Sequence, residues 1–338
     1  MCQEMKVAKT VTVVTVTYGQ REQLLRQVLD SVRCMDVSKV IVVDNGAQWP
    51  VRSELTAAYG DLVDVVEMGA NTGSAKGFAT GIQRAVDLGA DYIWLLDDDN
   101  CPRSDTLQEL RDAYANALTD TACDRLAVQA FRPDTQADVA LGVAAYHINP
   151  RTNSFYGFHV LDIPYKIWRR TPWGRPVLRG LLPSVVAFDI APYGGLLFHR
   201  EVIQFIGLPN VHFVLYADDG EFTYRITKSG GKILLVTSAR IDEIELSWND
   251  SSRFANSFIA NLNGVSDFRA YYYMRNHVYL GAIMKENKFA FWLNRSVYMF
   301  LLFIYSVALG KGERYRLLQE AVADGLAGRL GMNERFPL

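Results

Sequence analysis

The chain has little of what holds metals through sulfur or imidazole. Its four cysteines, Cys2, Cys34, Cys101 and Cys123, form no CxxC pair, and the five histidines, His147, His159, His199, His212 and His277, show no zinc-ligand spacing. A disulfide framework and a sequence-encoded zinc site are therefore not expected, and the thiols read as free in a reducing compartment. An excess of positive charge is also missing. With 35 Lys and Arg against 37 Asp and Glu the formal net charge is -2, so nucleic acid is not an expected partner, although Arg169, Arg170, Arg175 and Arg179 gather locally. The opening MCQEMKVAKT lacks the apolar core of a signal peptide, which leads to the expectation of a cytoplasmic protein. Nor is there an unbroken apolar run of membrane-spanning length. Phe289 to Leu309 is interrupted by Asn294 and Arg295, leaving Val297 to Leu309, too short to cross a bilayer. That segment reads either as a buried helix or as one lying on the cytoplasmic leaflet, flanked by Lys285, Lys288, Arg295, Lys311, Arg314 and Arg316. Repeats and low-complexity tracts are absent as well.

What is present in the first half is alternation. Val11 to Tyr18 is β-branched and nearly continuous in apolar character, Arg21 to Val32 has apolar residues at helical spacing, and Lys39 to Asn45 returns to a strand pattern. A weaker strand, Leu62 to Met68, leads into the loop Gly69 to Gly77, a helix near Phe78 to Leu88, and a strand Tyr92 to Leu96. Such βαβ alternation predicts an α/β fold with a parallel sheet whose ligands sit at the carboxyl ends of the strands. There the chain places Thr17 and Tyr18, Asp44 and Asn45, Asn71 and Gly73, and Asp97 to Asp99. The loop NTGSAKGFATG lacks the spacing of a P-loop, and Gly73, Gly77 and Gly81 do not match a dinucleotide fingerprint, yet its glycines allow close backbone approach to a nucleotide, with Lys76 near a phosphate.

Residues 145–191 are rich in proline, aromatics and arginine without a period, and read as an insertion facing an acceptor. Beyond it, Gly194 and Gly195 open a strand, Arg200 to Ile206 reads as a helix, and Asp218, Asp219 and Glu221 begin another helix closed by Gly230 and Gly231. The strand KILLVTSARIDEIEL follows, and helices are predicted from Phe268 to the end. The domain division expected is 1–265 for the α/β domain and 266–338 for a C-terminal helical region, whose apolar segment is either buried or lies on a membrane.

Two acidic clusters carry the chemistry. Adjacent carboxylates at Asp97, Asp98 and Asp99 repel one another unless a cation or a cationic ligand sits among them, and at a strand end they can hold a divalent metal against diphosphate oxygens. A carboxylate of the second cluster can take a proton from an attacking hydroxyl. The bland alternatives are an N-cap or Asx turn for DDDN and dipole complementation for ADDGE. Arg275 and Asn276 in YYYMRN suit either orientation of a cleft or a buried polar network.

The ordered set VTVVTVTYGQR, VVDNGA, NTGSAKGFATG, WLLDDDN, PYGGLLFHREVIQFIGLP, YADDGEFTYRITKSG and YYYMRN resembles inverting nucleotide-sugar glycosyltransferases of family 2, in the branch of rhamnosyl- and galactofuranosyltransferases, over about residues 10 to 280. The resemblance implies a GT-A fold, a Rossmann-like mixed, mainly parallel sheet flanked by helices. It implies Thr17, Tyr18, Arg21, Asp44 and Asn45 around base and ribose, Asn71, Gly73, Lys76, Asp97 and Asp98 beside the donor, and Asp97 with Asp99 as ligands of Mn²⁺ or Mg²⁺. Asp219 would be the base, Asp218 and Glu221 would bind acceptor or sugar hydroxyls, and Tyr193, Gly194 and Gly195 would shape the sugar pocket. Similar galactofuranosyltransferases complete the metal site with a histidine after the DDxE helix. Here SARIDEIELSW has none, so Asp242, Glu243 or Glu245 would substitute, with Glu243 taken as the ligand. The implied partners are a UDP-galactofuranose or dTDP-rhamnose donor and a lipid-linked surface-glycan acceptor at the inner face of the cytoplasmic membrane. The rival readings are a nucleotidyltransferase, disfavoured because YGQREQ is no triphosphate-binding loop, and a non-catalytic scaffold of the same fold.

Overall fold

A computed structural model of the protein describes residues 9–178, 180–245, 256–264 and 266–338. The expectations on Cys2, Arg179 and the N-terminal decapeptide up to Ala8, and the end of SARIDEIELSW beyond Glu245, lie outside those residues. The chain forms two compact units: Met1–Thr135 with Ser184–Pro209 and Phe222–Ile244, and Gln136–Pro183 with Asn210–Glu221 and Glu245–Leu338.

The first unit begins with β1 (Val11–Gly19), α1 (Glu22–Val32), β2 (Lys39–Ala47), α2 (Val51–Tyr59), β3 (Val63–Glu67), α3 (Ser74–Asp87) and β4 (Tyr92–Leu95). Then come β5 (Asn100–Pro102), α4 (Thr106–Ala117) and β6 (Leu126–Phe131). The second unit contributes α5 (Ala137–Ala140), α6 (Ala145–Ile148) and α7 (Ile163–Trp168), after which β7 (Val185–Phe188), β8 (Leu196–His199) and α8 (Glu201–Ile206) return to the first. Helix α9 (Asp218–Lys228) starts with the second unit and continues in the first, followed by β9 (Lys232–Glu243). The chain ends in α10 (Ser257–Asn263), α11 (Asp267–Met284), α12 (Lys288–Ala308) and α13 (Gly312–Leu326).

The strands make one mixed sheet in the order β3-β2-β1-β4-β8-β6-β9-β5, with β7 also on β9. Pairing is parallel for β1 with β2 and β4, β2 with β3, and β6 with β9, while β8, β5 and β7 join antiparallel. The expected α/β architecture is found. Every residue from Val11 to Thr17 is buried, because helices cover both faces of the sheet, and this is why β1 reads as a continuous apolar run rather than an alternating one. Helix α1 buries Leu25, Val28, Leu29 and Val32, one stripe at 3.6-residue spacing.

One expectation needs correction, one alternative reading falls, and one helix was not foreseen. The loop predicted over Gly69 to Gly77 ends at Gly73, and α3 begins at Ser74, four residues before Phe78. The glycines that suggested a loop are packing positions: a Cβ on Gly77 would come within 2.7 Å of Val16 Cγ1, and one on Gly81 would overlap Val14 Cγ1, so hydrogen at both sites lets the helix lie against the sheet. Second, the DDDN stretch does not cap a helix. Asn100 to Pro102 form β5, and α4 starts only at Thr106. Third, α2 was not anticipated, its polar VRSELTAAY burying only Val51 and Leu55.

The second unit packs around Phe155, Tyr271, Tyr272, Phe291, Tyr298 and Leu302. Helix α12 turns Phe291, Asn294, Tyr298, Leu302 and Ser306 inward. Asn294 Nδ2 donates to Asn153 O at 2.9 Å, its Oδ1 accepts from Val160 N at 3.0 Å, and Asn261 Nδ2 donates to Tyr298 Oη at 3.0 Å. The polar residue that interrupts the apolar run in the sequence is thus on the protein-facing side. The outward side carries Phe289, Trp292, Leu293, Phe300, Phe303, Ile304 and Val307, all exposed.

Candidate active site

The carboxyl end of β4 delivers Asp97, Asp98 and Asp99 into one place, and two guanidinium groups meet them. Arg21 Nε donates to both oxygens of Asp98 at 2.9 Å, and its Nη2 donates to Asp99 Oδ2 at 3.1 Å. Arg132 Nη1 lies 3.0 Å from Glu243 Oε1 and 3.7 Å from Asp97 Oδ2. Part of the answer to three adjacent like charges is therefore internal. Arg132 was missed in the sequence; its only signal is its position directly after the last residue of β6, at the carboxyl edge of the sheet.

The three aspartates differ in environment. Asp98 is 4% exposed, and burial lifts its carboxyl to about 6, with Arg21 pulling down and Asp99 pushing further up. The side chains of Asp97 and Asp99 reach solvent to 38% and 23%. Asn100 Nδ2 donates to Asp99 Oδ1 at 3.1 Å.

Because the folded pKa of Asp98 lies above the unfolded value, its stabilising contribution is complete below about pH 4 and is lost as pH rises through about 6. In urea titrations between pH 4 and 6.5, wild type is expected to lose stability relative to Asp98→Asn as pH rises, by about 2–3 kcal/mol over the window. Parallel pH curves for the two proteins would contradict the burial account.

Glu243 arrives by strand pairing. In the antiparallel β5–β9 ladder Asn100 lies opposite Glu243 and Cys101 opposite Asp242, while Ile244 N donates to Asp99 O at 3.0 Å. The two-residue period of a strand puts Asp242 on the other face, where Arg103 binds it at 2.9 and 3.1 Å. Of the substitutes considered for the missing histidine, Glu243 is brought to the aspartates and Asp242 is not; Glu245 belongs to the other unit. Burial raises the Glu243 carboxyl, opposed by Arg132. Asp97 and Asp99 offer hard carboxylate oxygens on partly open side chains, with the less exposed Glu243 held by Arg132 nearby, and this donor chemistry suits a divalent cation of the Mg²⁺ or Mn²⁺ type.

Gly194 closes the same corner. A Cβ there would overlap Asn100 Oδ1 and Asp97 Oδ2, and Gln129 Nε2 donates to Gly194 O at 2.5 Å. Gly195 has φ +94, and its N–H donates to Leu95 O at 2.8 Å. Gly194→Ala should cost about 1–3 kcal/mol in urea unfolding and displace Asp97. A variant as stable as wild type would refute this crowding. Tyr193 is buried, with its ring 4.4 Å from Phe78 and 6.0 Å from Phe222.

The ends of β1 and β2 hold the other predicted positions. Thr17 is fully buried, and the Asp98 carboxylate feels its hydroxyl. Tyr18 is 42% exposed with its ring 5.2 Å from the Arg21 guanidinium. Asp44 Oδ1 accepts from Ala47 N at 2.8 Å, closing a turn. Asn45 is spent on structure. Its Oδ1 accepts from Thr72 N and Oγ1 at 2.8 and 2.9 Å, and its Nδ2 donates to Asn71 Oδ1 and Gly73 O at 3.1 and 3.2 Å. This pins the loop before α3, with Gly73 at φ +87 and Lys76 exposed in the first helical turn.

Asp218, Asp219 and Glu221 sit where predicted, in the first turn of α9, with Asp218 and Glu221 buried. Gly220 N donates to Asp219 Oδ1 at 2.7 Å. The backbone before them is strained: Val214, Tyr216 and Ala217 have φ of +69, +68 and +60. Leu215 N donates to Phe213 O at 2.8 Å, a γ-turn centred on Val214. Each such residue costs on the order of 1–3 kcal/mol and persists only if its surroundings hold it.

On another edge of the first unit, the ligand atoms of Cys123, His199 and Glu201 lie within 4.8 Å of one another, a grouping that chain spacing hides. The Cys123 thiol donates to Glu201 Oε2 at 2.8 Å, which accounts for their closeness.

Residues 12–161 match the family described as Glycosyl transferase family 2. The galactofuranosyltransferase GlfT1 of Mycolicibacterium smegmatis is 28% identical over 243 residues, 67% of this chain and 68% of the relative. That of Mycobacterium tuberculosis is 26% identical over 66% of each. The chain thus spans about two thirds of the length of these relatives. Among solved structures, GalNAc-T7 with UDP, GalNAc and Mn²⁺ superposes with a TM-score of 0.53 at 16% identity, over 81% of this chain and 48% of that one. S. aureus TarS in complex with UDP-GlcNAc gives 0.51 at 14% identity, over 94% and 80%. At these identities the two structures speak to the fold, which is GT-A. The chain is a glycosyltransferase of the GT-A fold whose residues 12–161 are similar to glycosyl transferase family 2.

Proposed function

We propose that the protein is a metal-dependent, inverting galactofuranosyltransferase that uses UDP-galactofuranose and a lipid-linked surface-glycan acceptor. The observation that carries the reading is the open pair Asp97 and Asp99 at the end of β4, with Glu243 delivered beside them by β9. These residues would hold Mn²⁺ or Mg²⁺, which supplies positive charge against the diphosphate oxygens as the leaving group departs. The names of the relatives favour galactofuranose over rhamnose, and the UDP and UDP-GlcNAc named with the two solved structures support UDP over dTDP.

In this reading Tyr18 lies over the base, Asp44 borders the ribose, and Lys76 lies beside the diphosphate, with Asn45 holding the Asn71–Gly73 loop in place for them; Thr17, sealed from solvent, backs Asp98 rather than meeting the ribose. Gly194 shapes the sugar's place indirectly, by letting Asp97 and Asn100 close against the backbone, and Gly195 and the buried Tyr193 back that corner. Asp219 takes the proton of the acceptor hydroxyl, whose oxygen bonds to the anomeric carbon as the bond to the diphosphate oxygen breaks on the opposite face. Asp218 and Glu221 orient hydroxyls. The products are the extended glycan, UDP and a protonated Asp219. Calorimetric titration with UDP and dTDP, each with and without Mn²⁺, tests the donor assignment. Metal-dependent binding of UDP is expected. Preference for dTDP would move the donor to rhamnose, and binding of neither would remove the donor site.

The acceptor's lipid and a place at the inner membrane face are supported by α12. Its outward side is a seven-residue apolar stripe at helical spacing, with Lys288 and Lys311 exposed at its two ends. By length and composition α12 could span a bilayer. Its inner face, however, is bound to the protein through Asn294 and Tyr298, so the helix would lie in the membrane surface with its outer side among lipid headgroups and upper chains. Phe300→Asp with Val307→Asp should lower partitioning onto anionic vesicles about 100-fold, read by co-sedimentation. Undiminished partitioning would refute the membrane assignment.

A further inference from the structure

We propose that Asn276 is a positioning residue for the acidic turn of α9, acting through the backbone that precedes it; the proposal rests on the reading of Asp219 as base. The observation is a fully buried side chain aimed at a strained segment. Asn276 Nδ2 donates to the carbonyls of Phe213 and Leu215 at 2.8 Å and of Tyr216 at 3.1 Å. Those carbonyls flank Val214, Tyr216 and Ala217, the three non-glycine residues with positive φ that lead directly into Asp218. One amide group thus gathers three backbone oxygens that ordinary extended or helical backbone would not bring together.

Arg275 completes the clamp. Its Nε donates to Asn276 Oδ1 at 2.8 Å, fixing which end of the amide faces the loop, and its Nη2 donates to Phe213 O at 3.3 Å. Arg275 is itself held by Gly331 O at 2.6 Å and by the Tyr272 ring, 4.7 Å from the guanidinium centre. An amide suits this position because it is neutral, so burial costs less than for a charge, and because it supplies the donors that clustered carbonyls require. Arg275 and Asn276 are also within one helix, α11, so the clamp is anchored in the core of its unit rather than on a loop. A strained backbone with a dedicated restraint, next to residues of proposed chemical function, is the pattern expected where geometry is held for catalysis.

The test compares Asn276→Ala, Ala217→Gly and the double variant with wild type, using UDP-galactofuranose and an alkyl galactoside acceptor. In Asn276→Ala, kcat should fall about 10- to 100-fold. The UDP dissociation constant, measured by calorimetry, should stay within about twofold, since the Asn276 hydrogen bonds run to Arg275, Phe213, Leu215 and Tyr216 and not to the donor residues. Glycine at 217 accepts positive φ without a Cβ, so Ala217→Gly should restore part of kcat in the double variant. If Asn276→Ala does not fold, Asn276→Ser, which keeps one donor, carries the same expectation. An unchanged kcat in a folded variant, or a loss of UDP affinity equal to the loss of kcat, would overturn the proposal. Asp219→Asn in the same assay separates the two ideas. If it retains transfer, the base reading falls and this proposal with it; if it abolishes transfer while Asn276 variants turn over normally, only the positioning role falls.

Discussion

Asp219→Asn should lower transfer by about 10²- to 10⁴-fold, the range for losing a general base, while leaving UDP affinity and urea stability near wild type. The amide is the informative replacement because it preserves shape and keeps an oxygen where Asp219 Oδ1 accepts from Gly220 N. What it removes is the capacity to take a proton. The neighbours give contrast: Asp218 and Glu221 are buried, so replacing them by alanine would mix chemical loss with cavities and broken hydrogen bonds. Wild-type transfer by Asp219→Asn would end the assignment of the base, and equal loss from transfer and UDP binding would mean that the residue holds the donor instead.

The sheet was legible because β1, β2 and β4 are buried on both faces, which forces continuous apolar runs, and because the runs end in residues too polar for a core. The acidic clusters were legible for the same reason: like charges side by side are rarely structural alone. Sequence did not show how those charges are met. Arg21, expected beside base and ribose, also grips Asp98 and Asp99, and Arg132, 33 positions beyond Asp99 in the chain, reaches Asp97 only because β6 is placed near β4 through β8. The choice among Asp242, Glu243 and Glu245 likewise needed strand register, since a one-residue shift on β9 exchanges the two faces. The glycines of NTGSAKGFATG misled because chain-level reasoning cannot tell a glycine that meets a ligand from one that meets Val16 or Val14. The service of Asn276 to a distant γ-turn had no local signature beyond its pairing with Arg275.

Three consecutive aspartates should then behave as residues of different kinds, and this yields the second large effect. Asp97→Asn should abolish the Mn²⁺-dependent increment in UDP affinity and lower transfer about 100-fold, the worth of roughly 3 kcal/mol of charge stabilisation at the diphosphate. Asp98→Asn should retain that increment, because Asp98 is sealed from solvent and committed to Arg21; its signature is the altered pH dependence of stability. Glu243→Gln should weaken the increment without removing it, since its carboxyl is raised by burial and already shares Arg132 with Asp97. Calorimetry of UDP with and without Mn²⁺ on the three variants reads all of this. The reverse pattern, with Asp98→Asn losing the metal increment and Asp97→Asn keeping it, would require the Arg21 pair to open when the cation binds, and would reassign the inner aspartate as the ligand. The order of effects at Asp97, Glu243 and Asp98 follows from how far each carboxylate is already committed to a guanidinium and how open its side chain is, not from its position in the triplet.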